Sequence, residues 1–275
     1  MKKKAIVLFS GGSDCTLVAA QVAQKGDFDE ILLITYEVPV SCFDGNSQRN
    51  IPCLQESFPH TKFRHEMISV ERVINKVITK RKVRFILRHG LIEASLCLHR
   101  RLAMHVRTIM YCLDNNIRHV FDGSNVTMGL WVDQTRKGLE LVDQLYGAFG
   151  ITAKHPVFYY GGDDLFNLVK YLGREELENI INKSTSHELY EIRVLKEKDH
   201  KSDYLASYRS QPVCLGVVMS LTHSLGWSLP FQSYSRFQDN ALKWYQDKTG
   251  LFRELLVEYQ REGKHSELGK LAGSP

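Results

Sequence analysis

Apolar positions along this chain alternate between two spacings. Residues 5–9, Ala-Ile-Val-Leu-Phe, form a continuous apolar run too short for a helix, as expected of a strand buried on both faces. After a break of small and polar residues, Leu17, Val18, Ala20 and Val22 recur at helical spacing. The alternation then repeats, with a strand over 31–36, a helix over 48–57 and a strand over 62–69. A long helical region covers 70–116, with breaks near Lys82 and Gly90; in its second half Leu91, Ala94, Leu98, Leu102, His105, Ile109 and Leu113 share one face. A strand over 118–121, a helix over 132–149 capped by Gly150, and extended chain over 151–159 follow. Strand and helix in turn predict an α/β fold: a parallel five-stranded sheet with crossover helices on both faces.

Beyond that point the pattern changes. Gly161 to Gly173 reads as a helix, Arg174 opens a short second one, and 182–210 is polar and aperiodic. Apolar residues return at helical spacing over 213–225, and 238–260 is amphipathic; 263–275 is expected to fray. The chain therefore divides into residues 1–175, carrying the β/α alternation, and a mostly helical region over 176–275.

Composition narrows the class without deciding it. Of 275 residues, 43% are hydrophobic and 24% charged, which is ordinary for a soluble globular protein. No apolar segment is long enough to span a membrane, and the run after Lys2-Lys3-Lys4 is too short for a signal sequence. The six cysteines form neither a CxxC pair nor a zinc-spaced cluster, so a reducing, cytoplasmic setting is expected. Lys80, Arg81, Lys82, Arg84, Arg88, Arg100, Arg101 and Arg107 gather where Glu93 is the only acid. Such a segment suits a polyanion, nucleic acid included, or a solvated helix face.

The chemistry is concentrated where the first strand meets the first helix. Ser10-Gly11-Gly12-Ser13-Asp14-Cys15-Thr16 carries a buried strand through two glycines into a helix. Glycines let backbone N–H groups reach a ligand, and a helix start offers unpaired donors with a partial positive charge. Ser10, Ser13 and Thr16 add hydroxyls. Asp14 repels phosphate directly, so it reads as a metal-bridged contact or as support for the helix start. Asp122-Gly123-Ser124-Asn125 ends a later strand and should face the same crevice.

Neither GxxxxGK[ST] nor GxGxxG is present. The first motif resembles the SGGxD[S/T] signature of the PP-loop, or N-type ATP pyrophosphatase, superfamily, with Cys15 where that family usually has Ser. The resemblance implies an adenine nucleotide α-hydrolase-like (HUP, Rossmann-like) fold that binds ATP with Mg²⁺ and releases AMP and pyrophosphate. Within it, residues 10–16 would hold the phosphates, and Gly123, Ser124 and Asn125 would match the family's Gly-x-Asn element. Asp14 and Asp133 would be candidate metal ligands, and Tyr36 would mark the strand end that holds adenine. His155-Pro156 resembles the strand-end proline of the family, and the likeness extends over about residues 4–173.

Cys97 and Cys214 extend the likeness toward the tRNA 2-thiouridine synthases, where one cysteine attacks or forms a disulfide and a second carries a persulfide. Deazaguanine (preQ0) synthases are more distant, since their zinc cluster of cysteines is missing. Asp14, Cys97 and Cys214 are the catalytic candidates that this implies. Three readings follow: an AMP-forming enzyme adenylating a tRNA base or nucleobase for sulfur or nitrogen transfer, a small-molecule amide ligase with the same step, and a non-catalytic adenine-nucleotide sensor. Cys97 and Cys214 could equally be buried core thiols.

Overall fold

The computed structural model describes residues 3–37, 48, 50–125, 132–158 and 234–272. Five strands, β1 (Lys4–Leu8), β2 (Glu30–Glu37), β3 (Lys62–Ser69), β4 (His119–Phe121) and β5 (Thr152–Lys154), form one sheet. Their order is β3-β2-β1-β4-β5 and every pairing is parallel. The fold is α/β and Rossmann-like. From β1 the chain builds outward to β3, then returns to lay β4 on the other side of β1. The C-terminal ends of β1 and β4 thus flank a topological switch point, where open parallel sheets form a crevice.

The apolar run of β1 is explained by burial on both faces. Ile6 and Leu8 join Leu32, Ile34 and Tyr36 in one core, while Ala5, Val7 and Phe9 join Ile31 and Leu33 in the other. Helices α1 (Ser13–Gln24) and α2 (Ile51–Ser57) contribute Val18, Val22 and Leu54 to the second core. The first is covered by α3 (Glu71–Thr79), α4 (Lys82–His89), α5 (Leu96–Asn115), α6 (Arg136–Gly147) and α7 (Tyr234–Glu262). The two breaks expected in the long helical region fall at Arg81 and Gly90, both with positive φ, and a 3₁₀ turn (Gly90–Ala94) leads into α5.

Helix α7 belongs to the same core as the sheet. Trp244, Tyr245, Phe252 and Leu256 are fully buried in the cluster that contains Ile6. A buried polar knot fixes it there. Glu93, in the 3₁₀ turn before α5, accepts from Trp244 Nε1 at 2.5 Å, Lys248 Nζ at 2.9 Å and His99 Nε2 at 3.3 Å. Lys248 Nζ also donates to the Val77 carbonyl at 2.8 Å. The lone acid of the basic segment is therefore an internal anchor.

Residues 263–272 do not fray. A 3₁₀ turn (Gly263–His265) leads into α8 (Glu267–Ala272), Ser266 Oγ caps that helix through Gly269 N, and Leu268 is fully buried. Glu267 pairs with Lys76 and Lys80. A capping serine, one core leucine and an ion pair hold a segment whose composition alone suggests none of this. The helices and loops expected over 161–225, the division at 175 and Cys214 lie outside the described residues.

Candidate functional site

The glycine loop stands where the motif places it, between the end of β1 and the start of α1. Gly11 has φ 78°, a left-handed conformation that favours glycine. Gly12 is the N-cap of α1, with no side chain capping the helix. Its carbonyl accepts from Thr16 N at 3.1 Å, Thr16 Oγ1 at 2.8 Å and Cys15 Sγ at 3.2 Å. In a trans peptide the C=O and the following N–H point in opposite directions. A Gly12 carbonyl held against the helix therefore aims the Ser13 N–H outward. The start of α1 adds the positive end of a twelve-residue helix dipole.

The second motif is pressed against the first. A Cβ added at Gly123 would lie 2.9 Å from Cys15 N and 3.1 Å from the Asp14 carbonyl carbon, so only glycine permits this approach. Asp122, Ser124 and Asn125 are all buried. The tight turn Val132–Gln134 lies alongside, with Gln134 Oε1 accepting from Asn125 N at 3.4 Å. That turn is seated by Gly138 of α6, where a Cβ would collide with the Val132 carbonyl oxygen. Thr135 caps the same helix through Gly138 N at 3.1 Å.

Behind the second motif is a buried charge network. Asp122 Oδ1 accepts from His155 Nδ1 at 2.7 Å and from Ser124 N at 2.9 Å. Arg101 Nη2 donates to Ser124 Oγ at 2.5 Å and lies 3.5 Å from Asp122 Oδ2. Its Nε is 3.7 Å from Asp133 Oδ2. His155 Nε2 meets Asp143 Oδ1 at 3.0 Å. Burial alone would raise Asp122, but the His155 and Arg101 cations hold it well below the usual carboxylate range. Burial would lower His155; its two carboxylate neighbours instead raise it to about 9, so it is an imidazolium at neutral pH. Asp133 is pushed up to about 6 by burial, against the pull of Arg101, and its Oδ1 has no hydrogen-bond partner. His105 falls to about 3 through burial and the nearby Arg101 charge.

The remaining sequence candidates fall into different settings. Cys15 is buried, with its thiol turned back to the Gly12 carbonyl and its pKa raised by burial. The Ser10 hydroxyl lies 3.5 Å from the same thiol and accepts from Gly12 N at 3.4 Å. The Thr16 hydroxyl hydrogen is likewise spent on Gly12. Asp14 is exposed in the first turn of α1. Tyr36 is buried, its hydroxyl 2.7 Å from Thr108 Oγ1 of α5, so the side chain serves the core. Cys97 is half-buried in the first turn of α5, one helical turn before Arg101 and on the same side of that helix. The helix start places it at the strand-end edge of the sheet.

The basic segment does not form one surface. Lys80 pairs with Glu267 and Arg101 is internal, while Arg81, Lys82, Arg84 and Arg88 are exposed around α4, Arg88 lying 3.0 Å from Asp247. Three contributors to the site escape a reading by motif. Asn50 donates to Gly11 O at 2.8 Å and to Thr16 Oγ1 at 3.1 Å; Arg101 stands in a basic run, and His155 enters the sequence reading only through the proline that follows it. The one hint was position: His155 ends a strand, and Arg101 lies one turn after Cys97.

Among the described residues no three His, Cys, Asp or Glu side chains group as a metal cluster, and no helix is long and apolar enough to cross a membrane. No protein-family model matches the chain, and no curated protein matches its sequence.

Proposed function

We propose that this protein is a PP-loop-type enzyme that binds Mg·ATP at residues 10–16 and 123–125 and adenylates an acceptor. The observation carrying this reading is the contact of two glycine motifs across the switch point, Gly123 against the backbone of Asp14 and Cys15. It gives a phosphate-sized anion N–H groups from a helix start and a second loop held against it. The acceptor oxygen attacks the α-phosphorus, the bond to the bridging oxygen breaks, and pyrophosphate leaves. A nitrogen or sulfur nucleophile then displaces AMP. The protein contributes alignment and charge neutralisation at the α-phosphate. Mg²⁺ fits as a cation held mainly by the phosphates, with the exposed Asp14 carboxylate as its protein ligand. Asp133 is less suited, because it faces Arg101.

The acceptor we favour is a tRNA base or nucleobase-like group. Exposed Arg81, Lys82 and Arg84 around α4 offer phosphate contacts, and Cys97 at the strand-end edge suits sulfur transfer with Cys214 as its partner. A small-molecule amide ligase shares the adenylation step. A non-catalytic adenine-nucleotide sensor would use the same loop without the adenylation step. A reducing, cytoplasmic setting fits four described cysteines that are all free thiols.

The decisive experiment combines calorimetry with product analysis. Wild type should bind Mg·ATP, Gly12→Val should bind it at least tenfold more weakly, and turnover with tRNA should yield AMP and pyrophosphate. ADP as product, or equal affinity in the variant, removes the proposal.

A further inference from the structure

We infer that Asn50 is a positioning residue that presets the phosphate-binding face of the glycine loop; this rests on the anion-binding reading above. Asn50 occupies the N-cap of α2, where an asparagine side chain ordinarily accepts a hydrogen bond from its own helix. Here it makes no such bond. Its carboxamide instead crosses to the glycine loop, donating to Gly11 O at 2.8 Å and to Thr16 Oγ1 at 3.1 Å. Because Gly11 O can only accept, the atom facing it is the amide nitrogen.

The second bond sets a direction along a relay. Thr16 Oγ1 accepts from Asn50 Nδ2 and donates its own O–H to the Gly12 carbonyl at 2.8 Å. The carbonyls of both glycines are thereby tied down on the protein side. Each peptide is planar, so the following N–H points the opposite way: the Gly12 N–H toward Ser10 Oγ at 3.4 Å, and the Ser13 N–H outward from the helix start. Asn50 thus fixes two consecutive peptide planes from outside the loop, in a conformation that Gly11 reaches only with positive φ. A loop of this composition otherwise samples many orientations, and ordering it on binding would cost affinity. A side chain that leaves its own helix uncapped to do this breaks a local preference, as functional sites do.

The test is calorimetry of Mg·ATP and of inorganic pyrophosphate with wild type, Asn50→Ala, Asn50→Asp and Gly12→Val, alongside thermal melts without ligand. Asn50→Ala should bind both ligands about tenfold more weakly, with its melting temperature close to that of wild type. Asn50→Asp separates positioning from general damage. Its carboxylate cannot donate to Gly11 O, but a protonated carboxyl can. The ratio of its dissociation constant to that of wild type should therefore shrink between pH 8 and pH 4, where an aspartate is about half protonated. Should Asn50→Ala fail to fold, the pH response of Asn50→Asp decides alone. A ratio constant with pH, or Asn50→Ala binding as wild type does while Gly12→Val does not, overturns the inference. Wild type binding neither ligand overturns the anion-site reading instead.

Discussion

His155 sits between two carboxylates, 2.7 Å from Asp122 and 3.0 Å from Asp143, and this makes stability depend on pH in a calculable direction. Its folded pKa of about 9 stands above the ordinary 6.5, because the folded protein favours the imidazolium. The stabilisation is complete below about pH 6.5, where the unfolded chain also carries the proton, and is lost as pH rises toward 9. Asp122 works at the other end, since its depressed pKa makes its contribution present above the usual carboxylate range and lost only in strong acid. Wild type should exceed His155→Gln by on the order of 3 kcal/mol at pH 6, with the gap closing near pH 9. Urea titrations across that range measure it. A gap that widens with pH contradicts the imidazolium assignment.

At this scale legibility divides by range in sequence. The Gly-Gly turn and the Asp122–Asn125 turn are visible because their chemistry lies within a few consecutive residues. Asn50 acts on Gly11 from 39 residues away, and Arg101 reaches Ser124 across 23. Nothing local in either sequence marks those meetings. Arg101 also shows how charge misleads: an arginine in a basic run is internal because two buried aspartates face it.

Elements were legible where burial repeats with a clear period. The apolar content of 62–69 marks strand β3, and the breaks expected near Lys82 and Gly90 fall at Arg81 and Gly90. Segment 263–272 carries no periodic signal, because one buried leucine, a serine cap and the pairing of Glu267 with Lys76 and Lys80 hold it. Glycines in helices give an element-scale prediction with opposite signs. In α6, Gly138→Ala drives a methyl into the Val132 carbonyl and displaces the turn carrying Asp133. It should cost about 1–3 kcal/mol, as overpacking does. In α7, a Cβ at Gly250 meets nothing within 4 Å, so Gly250→Ala should add about 0.5–1 kcal/mol through helix propensity alone. Chemical denaturation of both variants checks the pair; equal signs would show that the 132–134 turn yields freely.

For the molecule as a whole, a parallel sheet with crossover helices is readable from alternation, while the order of its strands and the reach of α7 into the sheet's core are not. Its amphipathic pattern says that it packs, not against what. The knot of Glu93, Trp244, Lys248 and His99 supplies the answer and a prediction. Lys248 is fully buried and also lies 4.2 Å from the Phe85 ring centre. Lys248→Met leaves Glu93 buried without its main cation, which should cost about 3–5 kcal/mol. Glu93→Gln with Lys248→Met should recover part of that loss, because the uncompensated charge is gone. Denaturant midpoints of the single and double variants give the coupling, and strict additivity would show that the pair is not energetically linked.

The same knot sets a timetable for biogenesis. Glu93 meets Lys248 across 155 residues and Lys80 meets Glu267 across 187. A ribosome that has already delivered all five strands has still not delivered Trp244, Tyr245 or Phe252, which close one face of their core. During that interval the nascent sheet exposes apolar surface that only later sequence can cover, the state in which a growing chain most needs a chaperone. Folding of the sheet is thus completed only after residues 234–272 have been made.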